Sequence, residues 1–244
     1  MPCEHPLAKV TVSIVSHGHG GMVAALVDQL RACPNVGEVI VTLNVPETLR
    51  PPEDALVRVI DNERPKGFGA NHNAAFRLCR EAFFCVLNPD IELRDDPFPL
   101  LLRALEDHAV ALSAPLIVAP DGTVEDSIRC FPTLISLARK AFDGPDGRYF
   151  VEPGAPVFNP DWVAGMFMLF ASSAYSRLGG FDERYFLYYE DVDICRRVWR
   201  SGLKVVACPS VSAIHDARRD SHRSLRHLRW HLTSMARFFL WRRH

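Results

Sequence analysis

No stretch of this chain is long and apolar enough to span a bilayer. The longest uncharged apolar run, roughly Val163 to Ala174, falls short of the ~20 residues such a helix needs. The opening MPCEHPLAKV also lacks the charged, apolar, small-residue order of a secretion signal, so the expected location is cytoplasmic. No CxxC pair occurs among the seven cysteines. Cys85, Cys195 and Cys208 lie inside apolar runs and read as small hydrophobes in a reducing compartment. A dinucleotide fingerprint is missing too: in SHGHGG the third glycine position is Val23, so GxGxxG fails. Between Val10 and Leu30 there is no lysine or arginine with which a nucleotidyltransferase would grip a triphosphate. No internal repeat or interdomain linker is visible. With 48% hydrophobic and 23% charged residues the composition is globular, which excludes disordered and low-complexity classes.

A net charge of −1 hides an uneven distribution. Residues 217–244 hold eight arginines against the single acid Asp220, whereas the rest carries 20 basic and 28 acidic groups. An acidic body with a basic tail points to an anionic partner for the tail. In that tail Leu225, Leu228, Leu232, Met235 and Phe239 recur at helical steps, with Arg226, Arg229 and Arg237 off the row and Trp230 and Trp241 added. Such a helix suits an anionic membrane surface, its own domain or a second subunit in a homodimer. Nucleic acid is not expected, because the acidic body would repel phosphates.

Strand and helix patterns alternate along the first half. Val10–Val15, Glu38–Leu43, Leu56–Ile60, Phe83–Leu87 and Val110–Val118 read as strands, and Met22–Cys33, Ala70–Ala82 and Phe98–His108 as helices. Residues 143–160 form a long loop, Trp162–Ala171 a buried strand, Asp191–Arg200 a helix, and Lys204–Cys208 a last strand ended by Pro209. The pattern predicts an α/β domain, a mostly parallel central sheet flanked by helices. Its ligands would bind beyond the carboxyl ends of the strands.

Three segments carry candidate chemistry. In LNPDIEL, Asp90 follows a buried strand and offers a hard oxygen ligand for Mg²⁺ or Mn²⁺ against a diphosphate, although Asn-Pro-Asp is equally a turn. GFGANHNAAF, Gly67 to Phe76, opens a helix; its glycines permit close approach, and the Asn71 and Asn73 amides suit a nucleotide or sugar or simply cap the helix. In FDERYFLYYEDVDICRRVWRSG, Glu190, Asp191 and Asp193 crowd a helix start beside Phe181, Tyr185, Phe186, Tyr188 and Tyr189. The Asp193–Arg197 spacing is an ordinary helical ion pair, while an acidic pair beside aromatic rings suits a sugar or a capped, buried helix.

In this order, from about Lys9 to His215, these segments resemble family 2 glycosyltransferases of the GT-A fold. The rhamnosyltransferase-like branch is nearest, to which SIRCFPTLISLARKAF is also similar. The resemblance implies one GT-A domain over residues 1–216, with a nucleotide-sugar half (1–118), an acceptor and catalytic half (119–216), and the amphipathic helix at 217–244. It implies that Asp191 is the catalytic base, that Asp90 and His215 hold the divalent metal, and that Asn88 stands where a first acid often lies. Gly165 and Arg197 match residues near the donor. The donor pocket would also draw on Ser16, His17, Asn44, Gly67, Phe68, Asn71 and Asn73, and the acceptor on Glu190 and Tyr189.

Two departures alter the nucleotide pocket. TLNVPET, with Asn44, stands where the family has an Asp-Asn-x-Ser type stretch, and His17-Gly18 replaces a Tyr-Asn type pair. The implied reaction is inverting transfer of a sugar, rhamnose from dTDP-rhamnose in that branch, to a glycan or polyprenyl-diphosphate-linked acceptor. A non-catalytic nucleotide-sugar-binding protein and a sugar-phosphate nucleotidyltransferase are the alternatives.

Overall fold

The computed structural model describes residues 8–136, 147–216 and 225–240. Its ten strands are β1 (Val10–Ser16), β2 (Val36–Leu43), β3 (Val57–Asp61), β4 (Phe83–Leu87), β5 (Ile91–Glu92), β6 (Val110–Val118), β7 (Ile128–Arg129), β8 (Trp162–Val163), β9 (Phe167–Ala171) and β10 (Lys204–His215). The helices are α1 (Gly21–Arg31), α2 (Phe68–Phe76), α3 (Phe98–Ala104), α4 (Ser172–Leu178), α5 (Glu190–Arg200) and α6 (Leu225–Leu240).

Eight strands form one sheet in the order β3-β2-β1-β4-β9-β6-β10-β5, and β7 pairs with β8 in a separate ribbon. β1, β2, β3 and β4 run parallel, as do β6 and β10. Both faces are covered, so β1 and β6 are buried almost throughout. One face packs Leu26 and Leu30 of α1 and Phe98 and Leu101 of α3. The other packs Ala75 of α2, Tyr175 of α4, and Ile194 and Val198 of α5.

Several expected boundaries move, each for a local reason. The strand expected over Trp162–Ala171 splits into β8 and β9, and β9 runs antiparallel between β4 and β6. Strands from both halves of the chain thus share one sheet. The final strand passes Pro209 and reaches His215, because the proline falls in a register break between Cys208 and Ser212 where no ladder donor is needed. α2 stops at Phe76 rather than Ala82: Leu78 N–H bonds the Ala75 carbonyl and Cys79 N–H that of Phe76, a tightening of the chain that ends the helix. α3 likewise ends at Ala104. In the expected loop, residues 147–160 carry only isolated bridges, and 143–146 lie outside the described residues.

Beneath α2, His72 is 1% exposed, its Nδ1 2.8 Å from Ser13 Oγ, with the Phe68 and Phe181 rings against it. Burial pulls its pKa from 6.5 to about 3. The unfolded chain therefore binds this proton first, and stability falls as pH drops from about 6.5 towards 3, by up to ~1.4 kcal/mol per pH unit. His72→Gln is expected to flatten that acid slope in urea unfolding measured from pH 7 to 5. Parallel slopes in the two proteins would refute it.

Candidate active site at the carboxyl ends of β1 and β4

Strand order reverses between β1 and β4, and the crevice at such a switch point is where α/β sheets bind ligands. The chain leaves β4 through Asn88-Pro89-Asp90, a turn in which Ile91 N–H bonds the Asn88 carbonyl at 3.4 Å, while Asn88 N–H ties it to the Met166 carbonyl beside β9 at 2.9 Å. β5 then pairs antiparallel with Ile214–His215, which brings two ends of the sequence together. His215 Nε2 lies 3.3 Å from Asp90 Oδ2, and its Nδ1 lies 2.7 Å from Glu125 Oε2. Burial opposes the imidazolium, but hydrogen bonds and charges from Asp90 and Glu125 outweigh it and raise the pKa to about 9. Burial likewise opposes the Asp90 carboxylate, and His215 outweighs that, holding its pKa below the usual value.

Asp90 Oδ1 is buried and has no partner among the described residues. That oxygen suits a divalent metal of the kind the family uses. Asp90, His215 and Glu125 meet here, but no group of three or more His, Cys, Asp or Glu is arranged to hold a metal ion among the described residues. Such a sparse set fits Mg²⁺ or Mn²⁺, which takes one or two protein carboxylates and completes its shell with phosphate and water.

Around the end of β1, the side chains mostly bond each other. Gly18 and Gly20 N–H groups donate to the Glu47 carboxylate at 2.8 and 3.1 Å. Asn44 Oδ1 accepts from Asn62 Nδ2 and Lys66 N–H, and its Nδ2 reaches the Lys66 carbonyl and His17 Nδ1. Asn71, fully buried, accepts from Asn62 at 2.7 Å. These amides knit the 62–67 loop to the sheet, with Ser16 buried and His17 exposed at the end of β1.

α2 is locked onto the 180–186 segment. Phe68 N–H bonds the Phe186 carbonyl at 2.9 Å. A Cβ on Gly67 would sit 2.7 Å from that same oxygen, so only glycine fits there. Asn73 is the bolt: Oδ1 accepts from Tyr175 Oη–H and Phe181 N–H, and Nδ2 donates to the Phe181 carbonyl and Glu183. Its amide is spent inside the protein rather than offered to a ligand. Arg197 is similarly committed, Nε to Asp193 Oδ2 and Nη1 to the Leu178 carbonyl, both at 2.8 Å, in a cleft apart from Asp191.

Asp191 lies at the second position of α5, behind a turn in which Tyr188 and Tyr189 both adopt positive φ, 70° and 68°. Non-glycine residues held this way cost about 1–3 kcal/mol each unless their surroundings enforce it. Gly165 N–H donates to Asp191 Oδ2 at 3.1 Å and Val192 N–H to Oδ1 at 2.8 Å, fixing the carboxylate. Gly165 itself is wedged between this carboxylate and the Phe68 ring. Asp191 faces a cavity of about 240 Å³ bounded by Arg129, Trp162, Tyr189, Glu190 and His231. Glu190 is 5% exposed, and its Oε2 has no partner among the described residues. Burial, with Asp191 beside it, pushes the Glu190 pKa well up; burial raises that of Asp191 too, against two backbone N–H bonds and Arg129. The two carboxyls interact closely enough to titrate as a unit, with burial pushing Glu190 the further towards its neutral form.

The C-terminal helix completes this cavity. Tyr188 Oη lies 2.9 Å from His227 Nδ1, Ser234 Oγ donates to the Leu187 carbonyl, and Arg196 donates to the Phe238 carbonyl while its guanidinium covers that ring at 3.8 Å. α6 thus packs on its own domain through His227, Ser234 and Phe238, with Met235 and Phe239 of the apolar row beside them and the exposed His231 ring against Tyr188 and Tyr189. Leu225, Leu228 and Leu232 stay 84%, 53% and 49% exposed on the adjoining flank. Glu47, Glu125, Arg129, Trp162 and His231 were not among the expected site residues. Of these only Arg129, within SIRCF, lay in a segment the sequence had singled out by resemblance, and the four-residue step from His227 to His231 was a helical signal passed over.

Residues 16–162 match the family model described as Glycosyl transferase family 2. Rhamnosyltransferase WbbL of Escherichia coli K12 is 30% identical over 244 residues, 94% of this chain and 92% of that protein. N-acetylglucosaminyl-diphospho-decaprenol L-rhamnosyltransferase of Mycobacterium tuberculosis is 36% identical over 148 residues, 57% of this chain and 48% of that protein, so the aligned part is about half its length. Among solved structures, GalNAc-T7 with UDP, GalNAc and Mn²⁺ superposes with a TM-score of 0.68 at 15% identity, covering 88% of this chain and 44% of that one. The mannosyltransferase PcManGT of Pyrobaculum calidifontis with GDP-Man and Mn²⁺ gives 0.62 at 13%, covering 96% and 65%. The fold they share with this chain is GT-A.

Proposed function

The chain belongs to glycosyl transferase family 2, and on that premise we propose that it is a metal-dependent inverting hexosyltransferase of cell-surface polysaccharide synthesis, moving rhamnose from dTDP-rhamnose to a hydroxyl of a polyprenyl-diphosphate-linked sugar. The observation that carries the reading is the Asp191 carboxylate, fixed by two backbone N–H groups at the floor of a cavity.

The acceptor hydroxyl gives its proton to Asp191 as its oxygen bonds the anomeric carbon. The bond from that carbon to the donor phosphate breaks on the opposite face, inverting the centre and releasing the nucleoside diphosphate. Asp90 would hold the divalent metal, which when bound would supply Lewis-acid stabilisation of the departing charge. His215, held by Glu125, orients Asp90, and would serve as a second ligand only after giving up its Nε2 proton to metal binding. Gly67, Phe68 and Gly165 keep the donor side of Asp191 closely packed.

A thermal-shift screen of dTDP-, UDP- and GDP-sugars with Mn²⁺ tests the donor. The largest stabilisation is expected with dTDP-rhamnose in wild type, and its loss in Asp90→Ala. Stabilisation by another sugar nucleotide would replace the donor, and an undiminished Mn²⁺ effect in Asp90→Ala would remove the metal assignment.

No helix among the described residues is long and apolar enough to cross a membrane. The exposed row of Leu225, Leu228 and Leu232, with Arg226 and Arg229 beside it, supports peripheral attachment to an anionic bilayer. Replacing the three leucines by serine is expected to abolish flotation with anionic vesicles; unchanged flotation would end that part of the reading.

A further inference from the structure

We infer that two apolar lips flank the Asp191 cavity, Leu134 and Ile135 on one side and Leu228 and Leu232 of α6 on the other, and that both seat in one anionic bilayer. The inference rests on the peripheral attachment proposed above and extends it to a segment some 90 residues earlier in the chain. A lipid-linked acceptor would then reach Asp191 from the membrane plane.

The first lip is a built feature. Residues 130–136 bound the cavity through Cys130, Pro132 and Ser136. Their base is anchored to the ribbon: Phe131 N–H bonds Asp161 Oδ2 at 2.7 Å, and Trp162 Nε1–H donates to the Cys130 carbonyl at 2.9 Å. Their tip is a closed turn, in which Thr133 N–H donates to Ser136 Oγ and Ser136 N–H to Thr133 Oγ1, both at 2.9 Å. Between those two polar residues Leu134 and Ile135 stay 68% and 66% exposed. Single exposed aliphatic residues are ordinary, but here an anchored turn holds two adjacent ones out beside a cavity.

The second lip lies across that cavity. His231 of α6 lines it, and Leu228, three residues earlier, falls on the same side of the helix. Leu232 stands one turn beyond Leu228, and the two are 53% and 49% exposed.

Charge decides what covers the lips. Residues 130–136 contain no charged side chain, and residues 225–240 contain Arg226, Arg229 and Arg237 but no acid, in a chain with 29 acidic groups. A second copy seated lip to lip would bring two arginine-bearing helices together, whereas anionic headgroups offset them. A bilayer also accepts side chains from two separate segments without the shape complementarity that a protein partner needs.

Flotation of the full chain with phosphatidylcholine vesicles, with and without phosphatidylglycerol, reads the surface. Wild type is expected to float with the anionic vesicles and far less with the neutral ones. Leu134→Ser combined with Ile135→Ser should lower the partition by about tenfold or more, the scale of withdrawing two aliphatic side chains from an apolar phase. Leu228→Ser combined with Leu232→Ser should do the same. Leu49→Ser removes a leucine of equal exposure, 66%, beside Gly20 at the start of α1, and should leave flotation unchanged. Thermal melting checks that each variant is folded. Undiminished flotation of the Leu134→Ser, Ile135→Ser protein overturns the first lip and leaves attachment through α6 standing. Loss in that protein with none in the Leu228→Ser, Leu232→Ser protein overturns the two-sided surface. Wild type that floats with neither vesicle ends the attachment reading and this inference with it. An equal loss in Leu49→Ser overturns the assignment of the surface. So does a wild-type dimer in sedimentation velocity that the paired substitutions dissociate, which would give the lips to a second copy.

Discussion

Asp191→Asn is expected to lower turnover by roughly 10²–10⁴-fold while leaving nucleotide binding nearly intact, the scale on which positioned general bases act. Both carboxylate oxygens already accept a backbone N–H, from Gly165 and from Val192, yet each keeps a lone pair that can face the cavity. Asparagine copies the shape but turns one acceptor into a donor. It must then set its NH₂ against one of those N–H groups, or rotate and lose both contacts. Proton acceptance disappears in either case. The acid limb of the wild-type rate profile should also lie above the ordinary carboxylate range, since burial raises the pKa of Asp191 and protonation silences the base. Steady-state kcat at saturating substrates, with a parallel nucleotide titration, checks the variant; turnover within threefold of wild type would remove Asp191 from the chemistry.

What could be read in advance divides along physical lines. Alternating apolar runs marked β1, β2, β4 and β6 and their helices, because strands buried on both faces must be apolar throughout. The antiparallel β9 was invisible: FMLFA is as apolar as a parallel strand, and direction leaves no trace in a run of five residues. The position of Asp90 just past a buried strand was legible, but whether it served a turn or a ligand was not. Its companion Glu125, 90 residues from His215, carries no local mark. Asn71 and Asn73 show the limit of composition, since an amide that grips a ligand and one that bolts two segments together look alike. In α6 spacing marked an apolar row of which Met235 and Phe239 pack on the domain while its three leucines stay exposed, and the contacts that seat the helix, His227 on Tyr188, Ser234 on the Leu187 carbonyl and Phe238 under Arg196, lie beside that row. Periodicity locates an apolar face without saying what covers it.

The bolt at Asn73 yields the second large effect, and two adjacent glycines isolate it. Gly179 and Gly180 both have positive φ, 73° and 67°, so alanine costs each about 1–2 kcal/mol of left-handed strain. At Gly179 a Cβ meets nothing within 4 Å, and the cost should end there. At Gly180 it would lie 2.3 Å from Asn73 Oδ1 and 3.0 Å from Tyr175 Cε1. Asn73 has nowhere to retreat, being 8% exposed and bonded to Tyr175, Phe181 and Glu183. Forcing it aside leaves the Tyr175 hydroxyl and the Phe181 amide unpaired in the interior, at about 1–3 kcal/mol each. Gly180→Ala is therefore expected to cost roughly 3–8 kcal/mol by urea unfolding, a large part of a typical domain's 5–15. The same displacement would loosen the segment leading to Glu190 and Asp191, so activity should fall with stability. Because the severest clash is with Asn73, Asn73→Ala should shrink the added cost of Gly180→Ala towards that of Gly179→Ala, leaving the close Tyr175 contact, a coupling a double-mutant cycle reads directly. Additive losses in that cycle, or equal losses at the two glycines, would show that Asn73 does not hold the two segments together.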